Sequence, residues 1–215
     1  LLHRLDRQQN GVQALVLAPT RELAIQVAAA LQQYGRGLGT NVLALYGGQS
    51  YQQQLRSLRE RVEVVVGTPG RLLDLMEQGH LDLGGVRAVV LDEADEMLSM
   101  GFVEDIESIL DRIPPERQTL LFSATISRRV LGLSKRYLRD PQTVSVTPEQ
   151  LTGASIEQRY YLVNPQEKVA AITRLFEMET IDSALVFART RLGTGELANQ
   201  LSSRGFAAEP LNGDL

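Results

Sequence analysis

A short aliphatic or β-branched run, a loop of small or charged residues and an amphipathic stretch at helical spacing recur in that order along the chain. This is the pattern of a parallel α/β sheet, in which each strand is followed by a covering helix. The first unit predicts a strand over Ala14 to Ala18, then a helix entered through Pro19 whose buried face is Leu23, Val27, Leu31 and Tyr34. Gly35, Gly37 and Gly39 stop that helix. Further strands are predicted at Val42 to Tyr46, Val62 to Val66, Val86 to Leu91, Thr119 to Phe122 and Thr143 to Val146. Helical spacing marks Arg71 to Gln78 and Val103 to Ile113.

The pattern lapses between Thr147 and Ser155, where a polar, aperiodic stretch reads as an interdomain linker. A second α/β unit follows, with strands expected at Glu157 to Val163 and Ala184 to Ala188 and helices at Gln166 to Met178 and Gly195 to Arg204. Too few strands precede Leu215 to close a sheet, so this unit reads as truncated. The expected organisation is one domain over residues 1–146, a linker over 147–156 and a partial second domain over 157–215.

Composition excludes several function classes. The 215 residues include no cysteine, which rules out disulfides, thiolate zinc sites and thiol nucleophiles and makes a reducing cytoplasm the simple expectation. Hydrophobic content is 43% and mean hydropathy −0.11, with no long apolar run, so no membrane span is expected. Leu1 and Leu2 are followed at once by His3, Arg4, Asp6 and Arg7, which leaves no apolar core for a signal peptide. A net charge of −4 confines any nucleic-acid binding to local patches. The only lysines are Lys135 and Lys168, and neither follows a glycine as a Gly-Lys-Ser/Thr phosphate loop requires.

Ligands of open α/β sheets bind in the crevice beyond the carboxyl ends of the strands, and right-handed crossovers put those ends on one edge. The unusual residues of this chain fall at such ends: Pro19-Thr20-Arg21-Glu22, Gly47-Gly48, Thr68-Pro69-Gly70-Arg71, Asp92-Glu93-Ala94-Asp95 and Ser123-Ala124-Thr125. Asp92 to Asp95 directly follow the apolar Ala88 to Leu91. Carboxylates at the mouth of a buried sheet are costly without a compensating cation, and magnesium bound to a nucleoside triphosphate supplies one. Asp92 would hold that ion through water and Glu93 would position the attacking water. Acidic residues also favour a helix N-terminus for the macrodipole alone. The Ser123 and Thr125 hydroxyls can bond to a neighbouring acidic loop or simply cap a helix. Thr68 to Arg71, Pro19 to Arg21 and Gly47-Gly48 offer exposed amides and two arginine forks for phosphates, or plain turn chemistry.

Taken in order, Pro-Thr-Arg-Glu-Leu, Gly-Gly, Thr-Pro-Gly-Arg, Asp-Glu-Ala-Asp and Ser-Ala-Thr resemble the DEAD-box RNA helicase family. Smaller matches agree: Met97-Leu98, Gly101-Phe102, Arg117-Gln118-Thr119, Leu185 to Thr190, and Leu211-Asn212-Gly213-Asp214, with Asn212 where many members carry His. The resemblance spans nearly the whole chain. It implies an α/β RecA-like parallel sheet sandwiched by helices, followed by an incomplete second RecA-like domain, the two closing on ATP and RNA. It further implies that Asp92 and Glu93 serve ATP, magnesium and water, while Asp95, Ser123 and Thr125 link the ATP state to RNA grip. Pro19, Thr20, Arg21, Gly47, Gly48, Thr68, Pro69, Gly70, Arg71, Arg189, Thr190, Gly213 and Asp214 would contact the RNA backbone with little sequence code.

Some family parts are missing from these residues: a Gly-Lys-Thr loop, the adenine-reading glutamine motif and the arginines that reach the γ-phosphate. Since phosphoryl transfer gains its rate by neutralising charge there, the chain as given is expected not to hydrolyse ATP. Three other readings are open. Gly193-Thr194-Gly195-Glu196-Leu197-Ala198, with Asp214 about twenty residues on, fits a dinucleotide fingerprint, although Arg189 to Leu192 intervene between strand and glycine turn. A related motor could act on DNA or polypeptide, and a non-catalytic RNA-binding scaffold is the third alternative.

Overall fold

The computed structural model describes residues 1–146 and 157–213. The chain divides into two compact units, Leu1–Thr143 and Val144–Leu215.

The first unit is built on a five-stranded, wholly parallel sheet: β1 (Ala14–Leu17), β2 (Val42–Leu45), β3 (Val64–Gly67), β4 (Ala88–Leu91) and β5 (Gln118–Leu121), in the spatial order β2-β3-β1-β4-β5. The central strands β1 and β3 are buried along their whole length, as a sheet covered on both faces requires. Alternation splits their side chains between two cores. Leu15, Leu17, Val65, Val89 and Leu91 enter one, with Leu72, Met97 and Ile106 from the helices. Ala14, Val16, Ala18, Val64, Val66 and Ala88 enter the other, against Ala24 and Ala28. Small residues on that second face let helix α1 (Arg21–Gly35) lie close to the sheet.

The remaining helices of the unit are α2 (Tyr51–Leu58), α3 (Pro69–Glu77), α4 (Ala94–Ser99), α5 (Val103–Arg112) and α6 (Arg128–Tyr137). Capping defines several starts. Thr20 accepts a hydrogen bond from the Leu23 amide at 3.2 Å, and Ser127 accepts one from Val130 at 3.3 Å. Pro69 occupies the first turn of α3, where its missing N–H costs nothing. Pro19 instead precedes the capping Thr20 and lies outside α1.

Some expectations fail. Tyr34 is 73% exposed, so the sheet-facing side of α1 is Ala24 and Ala28, with Leu23, Val27 and Leu31 at its margins. The expected strand at Thr143 to Val146 does not form, and Val144 is 90% exposed: an alternating pattern makes a strand only where a neighbour supplies hydrogen bonds.

The second unit has a 3-10 turn at Pro165–Glu167 followed by α7 (Lys168–Met178), and then α8 (Arg191–Ser202). Phe176 packs on Phe206 with ring centroids 5.5 Å apart. Its described residues include no β-strand. The runs at Glu157 to Val163 and Ala184 to Ala188 are unladdered and largely exposed, Phe187 at 88%. Helix α8 begins four residues earlier than the expected Gly195, because Thr190 caps it by accepting from the Gly193 amide at 3.0 Å. Gly193 and Gly195 therefore lie inside a helix rather than in a strand-to-helix turn, which removes the geometric basis of the dinucleotide fingerprint. The expected linker, 147–156, lies outside the described residues, as does Asp214.

Candidate nucleotide and RNA site

The strands of the first unit end level with one another. Register aligns Leu45, Gly67, Leu17, Leu91 and Leu121 in a single row across the sheet. The ladder continues one step into four of the loops beyond: Ala18 donates to the Gly67 carbonyl, Thr68 to Leu45 and Asp92 to Leu17, each at 3.0 Å, and Phe122 donates to Leu91 at 2.8 Å. The five singled-out segments thus leave one edge of the sheet, and strand order sorts them into two neighbouring groups. Gly47-Gly48, Thr68 to Arg71 and Pro19 to Arg21 follow β2, β3 and β1, whereas Asp92 to Asp95 and Ser123 to Thr125 follow β4 and β5. At the boundary between the groups, the connections leaving the adjacent strands β1 and β4 run in opposite directions across the sheet, the usual crevice of open α/β folds.

In the acidic loop, Asp92 is half-buried and its Oδ1 accepts the Glu93 amide at 3.1 Å. Glu93 is exposed and adopts the left-handed conformation, φ 46° and ψ 53°, which a non-glycine residue takes only where its surroundings hold it. Here the flanking backbone is held on both sides, by Asp92 on Leu17 and by the Ala94 amide donating to the Phe122 carbonyl at 2.9 Å. The kink lifts the Glu93 side chain out of the strand line and starts α4, whose Ala94, Met97 and Leu98 are buried.

Asp95 joins this loop to the next. Its Oδ2 accepts both the Thr125 amide, at 2.9 Å, and the Thr125 hydroxyl, at 2.7 Å, while the Ser123 hydroxyl donates to the Thr125 carbonyl at 2.7 Å. The Thr125 hydroxyl, more than any other group, holds the Asp95 carboxyl below its ordinary value, against a smaller opposing effect of burial, with further help from Ser123 and the Thr125 amide. The expected link between the acidic and Ser-Ala-Thr loops is present as geometry, and neither hydroxyl of the latter caps a helix, since α6 takes Ser127 for that purpose.

In the other group, Pro19 and Pro69 are buried and set backbone direction, leaving Arg21, Gly47, Gly48 and Gly70 exposed and Thr20, Thr68 and Arg71 half-buried. The Arg21 guanidinium stacks over Tyr46 at 5.3 Å from the ring centroid, and Arg71 stacks over Tyr51 at 5.4 Å. Gly48 has φ +80°, which suits glycine. Arg189, Thr190 and Gly213 are exposed in the second unit.

Three contributors were not singled out by sequence reading. Gln54 of α2 is 2% exposed and bonds across two of the three loops of this group, those after β2 and β3. Tyr46 supplies the ring beneath Arg21. Gly67 accommodates the Leu45 carbonyl, which would lie 2.5 Å from a Cβ placed there. Only Gly67 had a readable signal, a glycine ending a run of three valines just before Thr68-Pro69-Gly70.

Among the described residues no three His, Asp or Glu side chains are grouped to hold a metal ion unaided. A lone half-exposed Asp92, with one oxygen free of the Glu93 amide bond, fits an ion whose other ligands are phosphate oxygens and water, as magnesium prefers.

Residues 1–133 match the DEAD/DEAH box helicase family. The chain belongs to that family. It is 46% identical over 215 residues to the DEAD-box ATP-dependent RNA helicase CshA of Geobacillus kaustophilus, covering 100% of this chain and 46% of that protein. To the ATP-dependent RNA helicase DeaD of Escherichia coli it is 47% identical over 216 residues, covering 100% of this chain and 34% of that protein. Its structure is similar to the crystal structure of a DEAD box protein from the hyperthermophile Methanococcus jannaschii, with a TM-score of 0.65 at 41% identity over 100% of this chain and 57% of that one. The chain therefore spans 34–46% of the length of these two curated relatives. As a DEAD/DEAH box member its first unit is a RecA-like α/β fold, a parallel sheet flanked by helices. No helix among the described residues is long and apolar enough to cross a membrane.

Proposed function

We propose that the protein containing these residues is a cytoplasmic ATP-dependent RNA helicase that couples ATP binding and hydrolysis to unwinding RNA duplexes or remodelling RNA–protein complexes. The observation that carries this reading is the sorting of strand-end loops into an acidic, hydroxyl-bearing group beside a basic, glycine-rich group on one sheet edge. ATP with magnesium would occupy the first group and the RNA backbone the second.

When bound, magnesium supplies charge neutralisation at the phosphates. Asp92 would hold it through water. Glu93, turned out of the strand line by its left-handed backbone, would orient the attacking water. Asp95 acts through Thr125: a shift of the acidic loop on nucleotide binding or release would be transmitted through the two Thr125 bonds to the loop after β5. RNA backbone would meet Thr20, Arg21, Gly47, Gly48, Thr68, Gly70 and Arg71, with Pro19 and Pro69 shaping those loops, and Arg189, Thr190, Gly213 and Asp214 would contribute from the second unit. Backbone contacts of this kind are sequence-tolerant, and a 2′-hydroxyl contact would separate RNA from DNA.

In domain terms, residues 1–146 form the first RecA-like domain without its phosphate-binding loop, 147–156 a linker and 157–215 part of a second RecA-like domain. These 215 residues contain no Gly-Lys-Ser/Thr segment, so they are expected to show no ATP turnover alone. RNA-stimulated phosphate release from them would overturn that. In the full-length protein, Glu93→Gln is expected to abolish turnover while sparing ATP-dependent RNA binding. Retained hydrolysis would remove Glu93 from its role, and equal stimulation by DNA would move the substrate class away from RNA.

A further inference from the structure

The only fully buried residue of helix α2 is polar, and its carboxamide is spent on two of the basic loops rather than on its own helix. Gln54 Nε2 donates to the Tyr46 carbonyl and to Gln49 Oε1, both at 2.9 Å, and Gln54 Oε1 accepts from Arg71 Nη1 at 2.9 Å. Tyr46 and Gln49 flank Gly47-Gly48. The two donor bonds therefore bracket the Gly-Gly turn, while the acceptor bond fixes the guanidinium at the start of α3. Tyr46 in turn underlies Arg21.

We infer that Gln54 is a positioning residue that holds the Gly47-Gly48 and Thr68 to Arg71 loops in one arrangement for an RNA backbone, an inference that rests on the RNA-contact reading given above. Burying an amide is costly unless every group is bonded, and a leucine or methionine would fill the same space on an otherwise amphipathic helix at no such cost. The side chain offers what this place requires: two donors for a carbonyl and an amide oxygen, and one acceptor for a cation, without net charge. Glutamate would satisfy Arg71 but turn lone pairs toward the Tyr46 carbonyl. Leucine would satisfy neither.

Arg71 shows what the positioning achieves. Nη1 is held by Gln54, Nε lies 3.9 Å from Asp74 Oδ2, and the guanidinium plane rests over Tyr51. Its Nη2 has no hydrogen-bond partner among the described residues. A fork bonded at Nη1 and unbonded at Nη2, on a side chain that is 16% exposed, is pre-organised for a phosphate, so little rotamer entropy is lost when RNA binds.

The test compares Gln54→Met, Gln54→Glu, Arg71→Ala and the Gln54→Met/Arg71→Ala double variant in the 215-residue chain. Two readouts are used: the 15N–1H signals of the Arg71 guanidinium in the free protein, and anisotropy of a labelled single-stranded oligouridylate over a salt series. Gln54→Met is expected to abolish the ordered Arg71 signals in a folded protein. It should weaken RNA binding about tenfold, close to Arg71→Ala, and the double variant should lose little more. Persisting Arg71 signals in Gln54→Met overturn the inference. If that variant does not fold, Gln54→Glu decides: it should retain the Arg71 signals, shift the Gly47 and Gly48 amides and bind RNA more weakly, and unchanged glycine amides and affinity overturn the inference. Weaker binding in Arg71→Ala but not in either Gln54 variant defeats the positioning role alone. Absent RNA binding, or full affinity in Arg71→Ala, defeats the RNA-contact reading and the positioning role with it.

Discussion

Replacing Gly67 by alanine tests how rigidly the sheet edge sets the site. A Cβ at this position would lie 2.5 Å from the Leu45 carbonyl oxygen, 2.8 Å from Leu72 Cδ2 and 2.9 Å from Leu72 Cγ, against 3.4 Å where ordinary contact begins. Neither neighbour yields easily. Leu72 is fully buried in the main core, and the Leu45 carbonyl accepts the Thr68 amide at 3.0 Å in the last step of the β2–β3 ladder. Overpacking of this severity costs about 3 kcal/mol. Displacing the carbonyl weakens the Thr68 bond for about 1 kcal/mol more. Alanine's stiffer unfolded chain returns roughly 0.5 kcal/mol. The expected net loss is about 3.5 kcal/mol. Because the chain has two compact units, a bulk unfolding signal is composite, and the better assay is native-state amide exchange at Val16 and Val66, which reports the first unit. Protection there should fall by between about two and three orders of magnitude. A loss under about 1 kcal/mol would show that the edge gives way, and the reasoning that this glycine fixes the Thr68 to Arg71 loop would be wrong.

Asp95 carries a pH signature. Its carboxyl is held below the ordinary 3.8, chiefly by the Thr125 hydroxyl, so its contribution to stability is complete above that value and lost as pH falls through the lower folded value. The stability difference between the native chain and Thr125→Val, read by urea titration at a series of pH values, should therefore shrink below pH 3.8; a difference independent of pH there would refute the assignment. Glu93→Gly relieves a left-handed backbone and should change stability by less than about 1 kcal/mol, whereas β-branched Glu93→Val should lower it by roughly 1–2 kcal/mol, both by amide exchange in α4. Met97→Ala empties a fully buried position beneath the acidic loop and should cost about 2–5 kcal/mol by the same measurement.

Much of the fold was legible because parallel sheets buried on both faces write themselves as apolar runs. Ala14 to Leu17, Val64 to Val66 and Ala88 to Leu91 needed no partner to be recognised as strands. The same logic failed at Thr143 to Val146 and in the second unit's two apolar runs. Alternation or hydrophobicity describes a strand's side chains, whereas its existence depends on a neighbouring ladder. Tyr34 departs from expectation for a related reason: helical spacing identifies a stripe, but the alanine-rich sheet face takes the small residues of α1 over the large ones.

Of the candidate site, residue type and order determined the strand-end segments and their grouping by strand, since chirality of the crossover leaves one edge for all of them. Only the tertiary structure decided which side chains meet. It joined Asp95 to Thr125 across thirty positions of sequence and buried Pro19 and Pro69. It also converted Gln54, one of three consecutive glutamines, into the buried tie between two loops. Burial of a polar side chain follows from what surrounds it in three dimensions, and a local run of similar residues carries no record of which one the fold will enclose.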